Sequence, residues 1–256
     1  MVVLTERRDA VAIITLNRPE VRNALNGELR AGLYRAMEEA NTSDAAAIVL
    51  TGADPAFCAG LDLKALATDG LASGDNPRSE SDVPNSPIPP LDKPLIGAIN
   101  GFAVTGGLEL ALACDFLIGS ERARFADTHA RVGVMPGWGL TVALPQAIGI
   151  RRAQQMSFTG NYVDAAQALD WALLNEVVSH DELLNRAVEL GHDMASIPPA
   201  NLRGIRNAYA EAARNHDDAA LSAEAAYSNK WARTFSPSEF AKVREDIQTR
   251  GRAQQE

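Results

Sequence analysis

Strand-like and helix-like patterns alternate along the N-terminal half of the chain. Residues 11–16 are apolar and rich in β-branched side chains, which is typical of a strand. The apolar residues of 23–40 recur at helical spacing, and residues 106–114 form a more apolar helix after a glycine-rich turn. Because strands separated by helices imply crossover connections, the pattern predicts an α/β fold with a mainly parallel sheet. The other predicted strands of this half are 46–51, 93–100, 115–118 and 123–126.

Helical patterns dominate from residue 140 onwards, with one strand-like interruption at 175–179. Residues 199–256 contain alanine-rich, charged helical segments and no strand pattern. A helical tail whose apolar face has no sheet to cover it often packs on another subunit. We therefore expect a core over residues 1–195 and a helical region for subunit assembly over 196–256.

Residues 67–92 differ from the rest of the chain in composition. They are rich in Gly, Ser, Pro and Asp and show no periodicity. A segment of this kind inside a compact domain is a functional lid or a disordered insertion, and the pattern predicts a long loop without choosing between them.

Composition and charge exclude several classes of protein. The 256 residues carry 24 Lys and Arg against 33 Asp and Glu, a formal net charge of −9, so we expect no nucleic-acid or anionic-membrane partner. One small anionic ligand held by local groups remains compatible with this charge. The N-terminus does not resemble a secretory signal, and Cys58 and Cys114 suit two buried thiols in a reducing, cytoplasmic compartment. The four histidines are scattered, so no metal site is expected.

Two glycine-containing turns, at 57–63 and 100–109, each lead from a strand into a helix. The first N–H groups of a helix have no intrahelical partner and carry the positive end of its dipole. Two such turns facing each other would form an oxyanion hole, although each alone is equally compatible with a tight corner. Neither turn fits a P-loop or a Rossmann dinucleotide fingerprint.

Glu109 is the charged residue within the otherwise apolar helix that follows the second turn. A carboxylate surrounded by apolar neighbours is costly unless it is paired or used. One helical turn beyond backbone donors, it would lie near whatever they bind, and burial would raise its pKa towards the range useful for proton transfer. A structural ion pair is the alternative.

These segments, in this order, resemble the crotonase superfamily, the enoyl-CoA hydratase/isomerase family. The resemblance covers nearly the whole chain and is strongest over Ala98-Ile-Asn-Gly-Phe-Ala-Val-Thr-Gly-Gly-Leu-Glu-Leu-Ala-Leu-Ala-Cys-Asp115. Further matching segments are Leu16-Asn-Arg-Pro-Glu-Val-Arg-Asn-Ala-Leu25, Phe57-Cys-Ala-Gly-Leu-Asp-Leu63, Gly133-Val-Met-Pro-Gly137 and the helical residues 165–178.

The resemblance implies a spiral of ββα units, a helical C-terminal region, and trimers that often pair into hexamers. It implies an acyl-CoA thioester as substrate and no cofactor other than the CoA that the substrate carries. The backbone N–H groups of Leu61 and Gly106 would be the oxyanion donors, and Glu109 would be a catalytic acid/base. The remaining candidates for binding CoA or substrate are Arg22, Ala24, Ala59, Asp62, Lys64 and Trp138, and for Arg22 and Lys64 an ordinary surface role is at least as compatible with the sequence.

His129 stands where hydratases of this family have their second glutamate, twenty positions after Glu109. Three interpretations are open: His129 replaces that glutamate as acid/base, the scaffold runs another reaction, or the protein binds acyl-CoA with little turnover. The usual pKa of histidine suits general acid–base catalysis, and Asp127 or Arg131 could orient the ring. Trp138 replaces a small residue and either narrows the acyl pocket or packs between helices.

The sequence therefore predicts an enoyl-CoA hydratase-like lyase that adds water across the 2,3 double bond, with Glu109 and His129 as its acid–base pair. The alternatives are another acyl-CoA enzyme of this fold, such as an isomerase, hydrolase or decarboxylase, and an acyl-CoA binder.

Overall fold

A computed structural model describes residues 1–65, 86–234 and 236–253, except for the side chains at 213–216, 237, 239–244 and 247. Most of the loop predicted over 67–92 lies outside the described residues, as do Phe235 and the side chain of His216. Residues 86–92, its described part, contain no helix or strand.

The strands of the described chain form two sheets. Their bounds are β1 Val3–Arg8, β2 Val11–Leu16, β3 Ala47–Gly52, β4 Ala56–Cys58, β5 Leu95–Ile99, β6 Phe102–Val104, β7 Phe116–Ser120, β8 Arg124–Ala126, β9 Val163–Asp164 and β10 Glu176–Val178. The first sheet has the order β1-β2-β3-β5-β7-β10, and the second has the order β4-β6-β8-β9. Neighbouring strands are parallel except for the pairs β1–β2 and β8–β9, which confirms the mainly parallel α/β class.

Helices alternate with the strands in the first half of the chain and predominate in the second half. Their bounds are α1 Gly27–Thr42, α2 Gly106–Leu112, α3 His129–Val132, α4 Leu140–Ile148, α5 Ile150–Thr159, α6 Ala165–Asp170, α7 Leu183–Ala195, α8 Pro199–Ala232 and α9 Pro237–Ala253. A helical turn at 63–65 and two 3-10 turns, Pro19–Val21 and His180–Glu182, complete the described elements. No helix in the described chain is long and apolar enough to cross a membrane.

The first sheet is covered on both faces, which explains why its strands read as continuous apolar runs. On β2, Val11 and Ile13 belong to a core cluster shared with α7, whereas Ile14 and Leu16 belong to the cluster shared with α1. Successive residues of a strand point to opposite faces, so one short strand contributes to both cores.

Helix α1 begins four residues later than the sequence pattern predicts. Asn23 has a positive φ of 56°, and its buried side chain donates to the carbonyls of Ala53 and Ala56 at 2.7 Å. The helix starts instead after Asn26, whose side chain caps it by accepting a hydrogen bond from the Leu29 N–H at 2.9 Å. The polar contacts of Asn23 thus override the helical spacing of its neighbours.

The predicted strands are confirmed within one or two residues, and four strands were not predicted. Three of these, β4, β6 and β9, contain only two or three residues, too few to show a period. The fourth, β1, is an edge strand with mostly exposed side chains. The short strands β4 and β6 are the ones that carry the candidate site.

The long helix α8 returns to the core near the candidate site. Its buried Glu224 accepts hydrogen bonds from the N–H groups of Gly139 at 2.6 Å and Thr141 at 2.7 Å. Near its end, the Trp231 indole N–H donates to the Gly133 carbonyl at 2.9 Å. These contacts fix the segment between α3 and α4 against the helical region. The predicted boundary between a core and an assembly region at residue 195 remains a prediction.

Candidate active site

The two glycine turns lie side by side because β4 and β6 are parallel neighbours, with Ala56 paired to Phe102 and Cys58 to Ala103. Gly60 follows β4 with φ +86°, and a Cβ at this position would lie 2.6 Å from the Val104 carbonyl oxygen. The same Cβ would lie 3.3 Å from the Gly106 nitrogen. Glycine is therefore required for the first turn to approach the second so closely.

The backbone N–H groups of Leu61 and Gly106 stand at this junction. Leu61 forms an isolated parallel bridge with Leu25, in which Leu25 donates to the Gly60 carbonyl and Asp62 donates to the Leu25 carbonyl. Gly106 is the first residue of α2. Among the described residues, neither N–H has a protein acceptor, so both are available to an oxygen atom of a ligand.

Glu109 lies one turn further along α2, and it is 4% exposed. Its Oε1 accepts hydrogen bonds from the backbone N–H groups of Gly137 at 3.1 Å and Trp138 at 2.8 Å. Its Oε2 lies 3.3 Å from Nε2 of His129. One carboxylate oxygen is thus anchored by the backbone, while the other faces an imidazole.

His129 is the first residue of α3, and its side chain lies between two buried carboxylates. Its Nδ1 is 2.6 Å from Oδ1 of Asp127, which also accepts the backbone N–H of His129 at 3.1 Å. Burial by itself lowers the pKa of His129, but the hydrogen bonds with Asp127 and Glu109 outweigh it and raise the pKa to about 9. The imidazole is therefore protonated at neutral pH.

Asp127 holds the imidazole from the side away from Glu109. Although burial raises the pKa of Asp127, its hydrogen bond with His129 and the charge of the imidazolium bring that pKa below its usual value. Because Nδ1 is engaged by Asp127, Nε2 points its proton towards Glu109. The sequence identified Asp127 as a neighbour of His129, and the structure assigns it this contact.

A cleft of about 520 Å³ adjoins the two turns. Five of the predicted binding residues line it, namely Arg22, Ala24, Ala59, Asp62 and Lys64, together with Leu61. The Asp62 carboxylate is occupied with structural contacts, since it pairs with Arg18 at 3.0 Å and accepts the Lys64 N–H at 3.0 Å. Asp62 therefore shapes the cleft wall and caps the helical turn at 63–65.

Three further arginines line the cleft: Arg131, which the sequence offered as a residue that could orient the His129 ring, and Arg250 and Arg252, which it did not predict. The Arg131 Nε donates to the Thr159 carbonyl at 2.7 Å instead of contacting the imidazole. Partial burial and the nearby charge of Arg250 both lower the pKa of Arg131, which shows that two cations share this wall. Arg250 and Arg252 belong to α9, far along the chain from the glycine turns. The local sequence carries no signal for this placement, because only the folding back of the C-terminal helix creates it.

Trp138 does not line the cleft. Its Cζ3 lies 3.5 Å from the position that a Cβ on Gly106 would occupy, and its backbone N–H holds Glu109. The indole is therefore beside the junction of the two turns, and the Arg30 guanidinium lies over its ring at 5.3 Å from the centroid. The indole also packs against the main hydrophobic core cluster, so its position fits both interpretations of Trp138.

The described residues contain no cluster of three or more His, Cys, Asp or Glu side chains that could hold a metal ion. The site combines two free backbone N–H donors, the buried carboxylate of Glu109 and the charged imidazole of His129. This arrangement can stabilise a developing oxyanion and move protons beside it.

Comparisons with known proteins show what this chain is similar to. The family model described as enoyl-CoA hydratase/isomerase matches residues 6–244. A probable peroxisomal enoyl-CoA hydratase 1 of Arabidopsis thaliana is 33% identical over 252 residues, covering 98% of this chain and 94% of that protein. A short-chain-enoyl-CoA hydratase of Clostridium acetobutylicum is 34% identical, over 87% of this chain and 86% of that protein. The crystal structure of an enoyl-CoA hydratase from Mycobacterium smegmatis superposes with a TM-score of 0.83 at 45% identity, covering 92% of this chain and all of that one.

Proposed function

Since this chain belongs to the enoyl-CoA hydratase/isomerase family, we propose that it adds water across the 2,3 double bond of an enoyl-CoA thioester. Its similarity to proteins named enoyl-CoA hydratases makes it an enzyme of the hydratase type with a crotonase fold. The observation that carries the reaction is the contact between Glu109 and His129, 3.3 Å apart beside two free backbone donors.

The thioester carbonyl oxygen accepts hydrogen bonds from the N–H groups of Leu61 and Gly106. When water adds to Cβ, negative charge moves onto this oxygen and the two donors stabilise the enolate. Donors of this kind contribute about 3–4 kcal/mol each to transition-state stabilisation in other enzymes. Because Gly60 fixes the distance between the turns, this stabilisation needs no rearrangement when the charge develops.

Glu109 removes the proton from the attacking water, and His129 supplies the proton that the enolate receives at Cα. The hydroxyl oxygen forms a bond to Cβ, the π electrons pass to Cα and the thioester oxygen, and the proton leaves Nε2 for Cα. Glu109 is then protonated and His129 neutral. A proton transfer from Oε2 to Nε2 across their direct contact restores both groups, so the cycle consumes only water and substrate.

This assignment is the first of the three interpretations of His129. A glutamic acid that donates a proton must be neutral, whereas a histidine that donates must be charged. The pKa of about 9 provides a charged imidazolium at neutral pH, so it supports His129 as the acid in place of the family's second glutamate.

The cleft is proposed to hold the CoA part of the substrate. Arg22, Lys64, Arg131, Arg250 and Arg252 all line it, and guanidinium and ammonium groups suit phosphate oxygens. These local cations would bind a CoA ester in spite of the net charge of −9. The proposed reaction uses no cofactor beyond the CoA that the substrate carries.

A homotrimer, or a dimer of trimers, is the proposed assembly. Large apolar side chains on α8 are exposed in the single chain, among them Ile205 at 60%, Tyr209 at 76% and Tyr227 at 69%, and a partner subunit would cover them. Cytoplasmic location is likewise proposed, supported by the buried free thiols of Cys58 and Cys114.

The test is the disappearance of the conjugated thioester absorbance when the protein is mixed with crotonyl-CoA and longer 2-enoyl-CoA esters. Hydration predicts loss of this absorbance and a 3-hydroxyacyl-CoA product, identified by mass spectrometry. Conversion of a 3-enoyl-CoA without hydration of any 2-enoyl-CoA would instead make the protein an isomerase. Tight binding without turnover on every ester would make it a binder and would contradict the proposal.

A further inference from the structure

Among the residues that the structure describes, no carboxylate pairs with Arg30, a largely buried cation beside Trp138. It lies on α1 and is largely buried, and burial lowers its pKa. Among the side chains that the structure describes, none forms an ion pair or a hydrogen bond with its guanidinium; its contact is the face of Trp138, 5.3 Å from the ring centroid. A buried charge of this kind is costly unless a ligand uses it.

Two other arginines with largely buried side chains are matched by carboxylates. Arg18 pairs with Asp62 at 3.0 Å, and Arg206 pairs with Asp115 at 2.9 Å. The closest parallel is Arg152, which also stacks on a tryptophan, Trp171, at 5.5 Å. Arg152 nevertheless has Asp170 at 3.7 Å, so stacking on an indole does not replace a carboxylate partner elsewhere in the fold.

Arg30 lies on the side of Trp138 away from the reacting centre, where the far end of an acyl chain could reach it. Trp138 lies between Arg30 and the reacting centre, since its Cζ3 is 3.5 Å from where a Cβ on Gly106 would stand and its N–H holds Glu109. Arg30 is not among the residues that line the CoA-sized cleft. A guanidinium stacked on an aromatic face keeps its N–H groups in the plane of the fork, where they can bind both oxygens of a carboxylate.

We propose that Arg30 binds a carboxylate at the far end of the acyl chain, so that the preferred substrates are enoyl-CoA esters of dicarboxylic acids. This inference rests on the proposed function, because that function places the thioester at Leu61 and Gly106. Trp138 then forms the wall along which the acyl chain passes, and Arg30 recognises its end.

The experiment compares the dissociation constants of saturated CoA esters, which bind but cannot be hydrated. Adipyl-CoA and hexanoyl-CoA have equal chain lengths and differ in a terminal carboxylate or methyl group, and suberyl-CoA and octanoyl-CoA form a longer pair. Calorimetric titration of the full-length protein is expected to show at least about tenfold tighter binding of the carboxylate in one of the pairs. Equal binding within both pairs would overturn the proposal.

Substitutions test whether Arg30 causes the preference for a terminal carboxylate. Arg30→Met keeps an unbranched side chain against Trp138 and is expected to abolish the preference while hexanoyl-CoA or octanoyl-CoA binds as before. Arg152→Met, at the other tryptophan-stacked arginine, is the matched control and should leave the preference unchanged. Arg30→Lys keeps the charge and should retain part of the preference, which gives a second readout if the Met variant does not fold. An unchanged preference in Arg30→Met or, should that variant not fold, an undiminished preference in Arg30→Lys would contradict the assignment.

These titrations separate this inference from the proposed reaction. Hydration of a neutral 2-enoyl-CoA without any carboxylate preference would leave the proposed function standing and refute the role of Arg30. A carboxylate preference that depends on Arg30, without hydration of any enoyl-CoA, would do the reverse.

Discussion

The proposed site joins two regions that are built in different ways. The proposed oxyanion donors are backbone groups of two turns, placed by the parallel pairing of β4 and β6 and by the positive φ of Gly60. The acid–base pair consists of side chains, and its geometry depends on α2, on α3 and on the segment that carries Gly137 and Trp138. The first region needs glycine at a defined position, whereas the second needs three separate elements to meet.

This difference indicates where chemistry can vary on such a scaffold. Side chains around the proposed donors can change without removing a backbone N–H group. Most substitutions there should therefore leave the polarisation of the substrate's thioester carbonyl unchanged. The acid–base pair changes character with a single residue, because an imidazole at position 129 is charged where a glutamic acid would be neutral. Substitutions in the two regions should therefore affect different measurable quantities.

Glu109→Gln is expected to have the largest effect. The amide oxygen can still accept the N–H groups of Gly137 and Trp138, but the group can no longer take a proton from water. We expect kcat for enoyl-CoA hydration to fall by about 10²- to 10⁴-fold, while calorimetry shows CoA-ester affinity largely unchanged.

The matched control for this substitution is Glu224→Gln. Glu224 is also buried and also accepts backbone N–H groups, from Gly139 and Thr141, but it does not contact His129. This variant should lower the melting temperature and keep most of the turnover. Equal losses of kcat in the two variants would mean that Glu109 acts by holding the 137–141 segment and not by transferring protons.

Gly60→Ala tests the backbone region and should have the next largest effect. The added Cβ would lie 2.6 Å from the Val104 carbonyl oxygen, so the two turns must move apart. Loss of one well-placed donor lowers kcat by about 10²- to 10³-fold in comparable enzymes, and we expect a loss of this order in the hydration assay. The position of the alkaline limb of the pH profile should stay unchanged, since the acid–base pair is intact.

Gly149→Ala separates this effect from backbone strain alone. Gly149 has a similar φ of +80°, and a Cβ there meets nothing within 4 Å. The control variant should lose stability in thermal unfolding and retain its kcat. If Gly60→Ala were as active as Gly149→Ala, the close approach of the two turns would not be needed for catalysis.

The two regions also differ in how far the sequence alone could predict them. The glycine turns and Glu109 can be predicted locally, because the glycines and the charged residue stand directly beside or within a helical pattern. The short strands β4 and β6 before the turns show no pattern of their own. Two other features could not be predicted in this way, because they bring together residues far apart in the chain. They are the hydrogen bonds from residues 137–138 to Glu109 and the position of Arg250 on the cleft wall. The same limit applies to the start of α1, where the tertiary contacts of Asn23 override the helical spacing.

Asp127→Asn probes the side-chain region through its pH dependence and is expected to have the smallest effect at neutral pH. His129 must be protonated to act as the acid, so kcat/KM of the wild type should fall as pH rises through about 9. Removing the Asp127 charge withdraws a group that favours the imidazolium, so the pKa of His129 falls and this alkaline limb moves to lower pH, by about one pH unit or more. Below the new limb most of the activity should remain, because Nε2 is still protonated there and still faces Glu109. A His129→Gln variant lacks the proposed acid and should lose most of its turnover, with no limb near pH 9 in the activity that is left. An alkaline limb that stays in place in Asp127→Asn would show that another group limits the reaction at high pH.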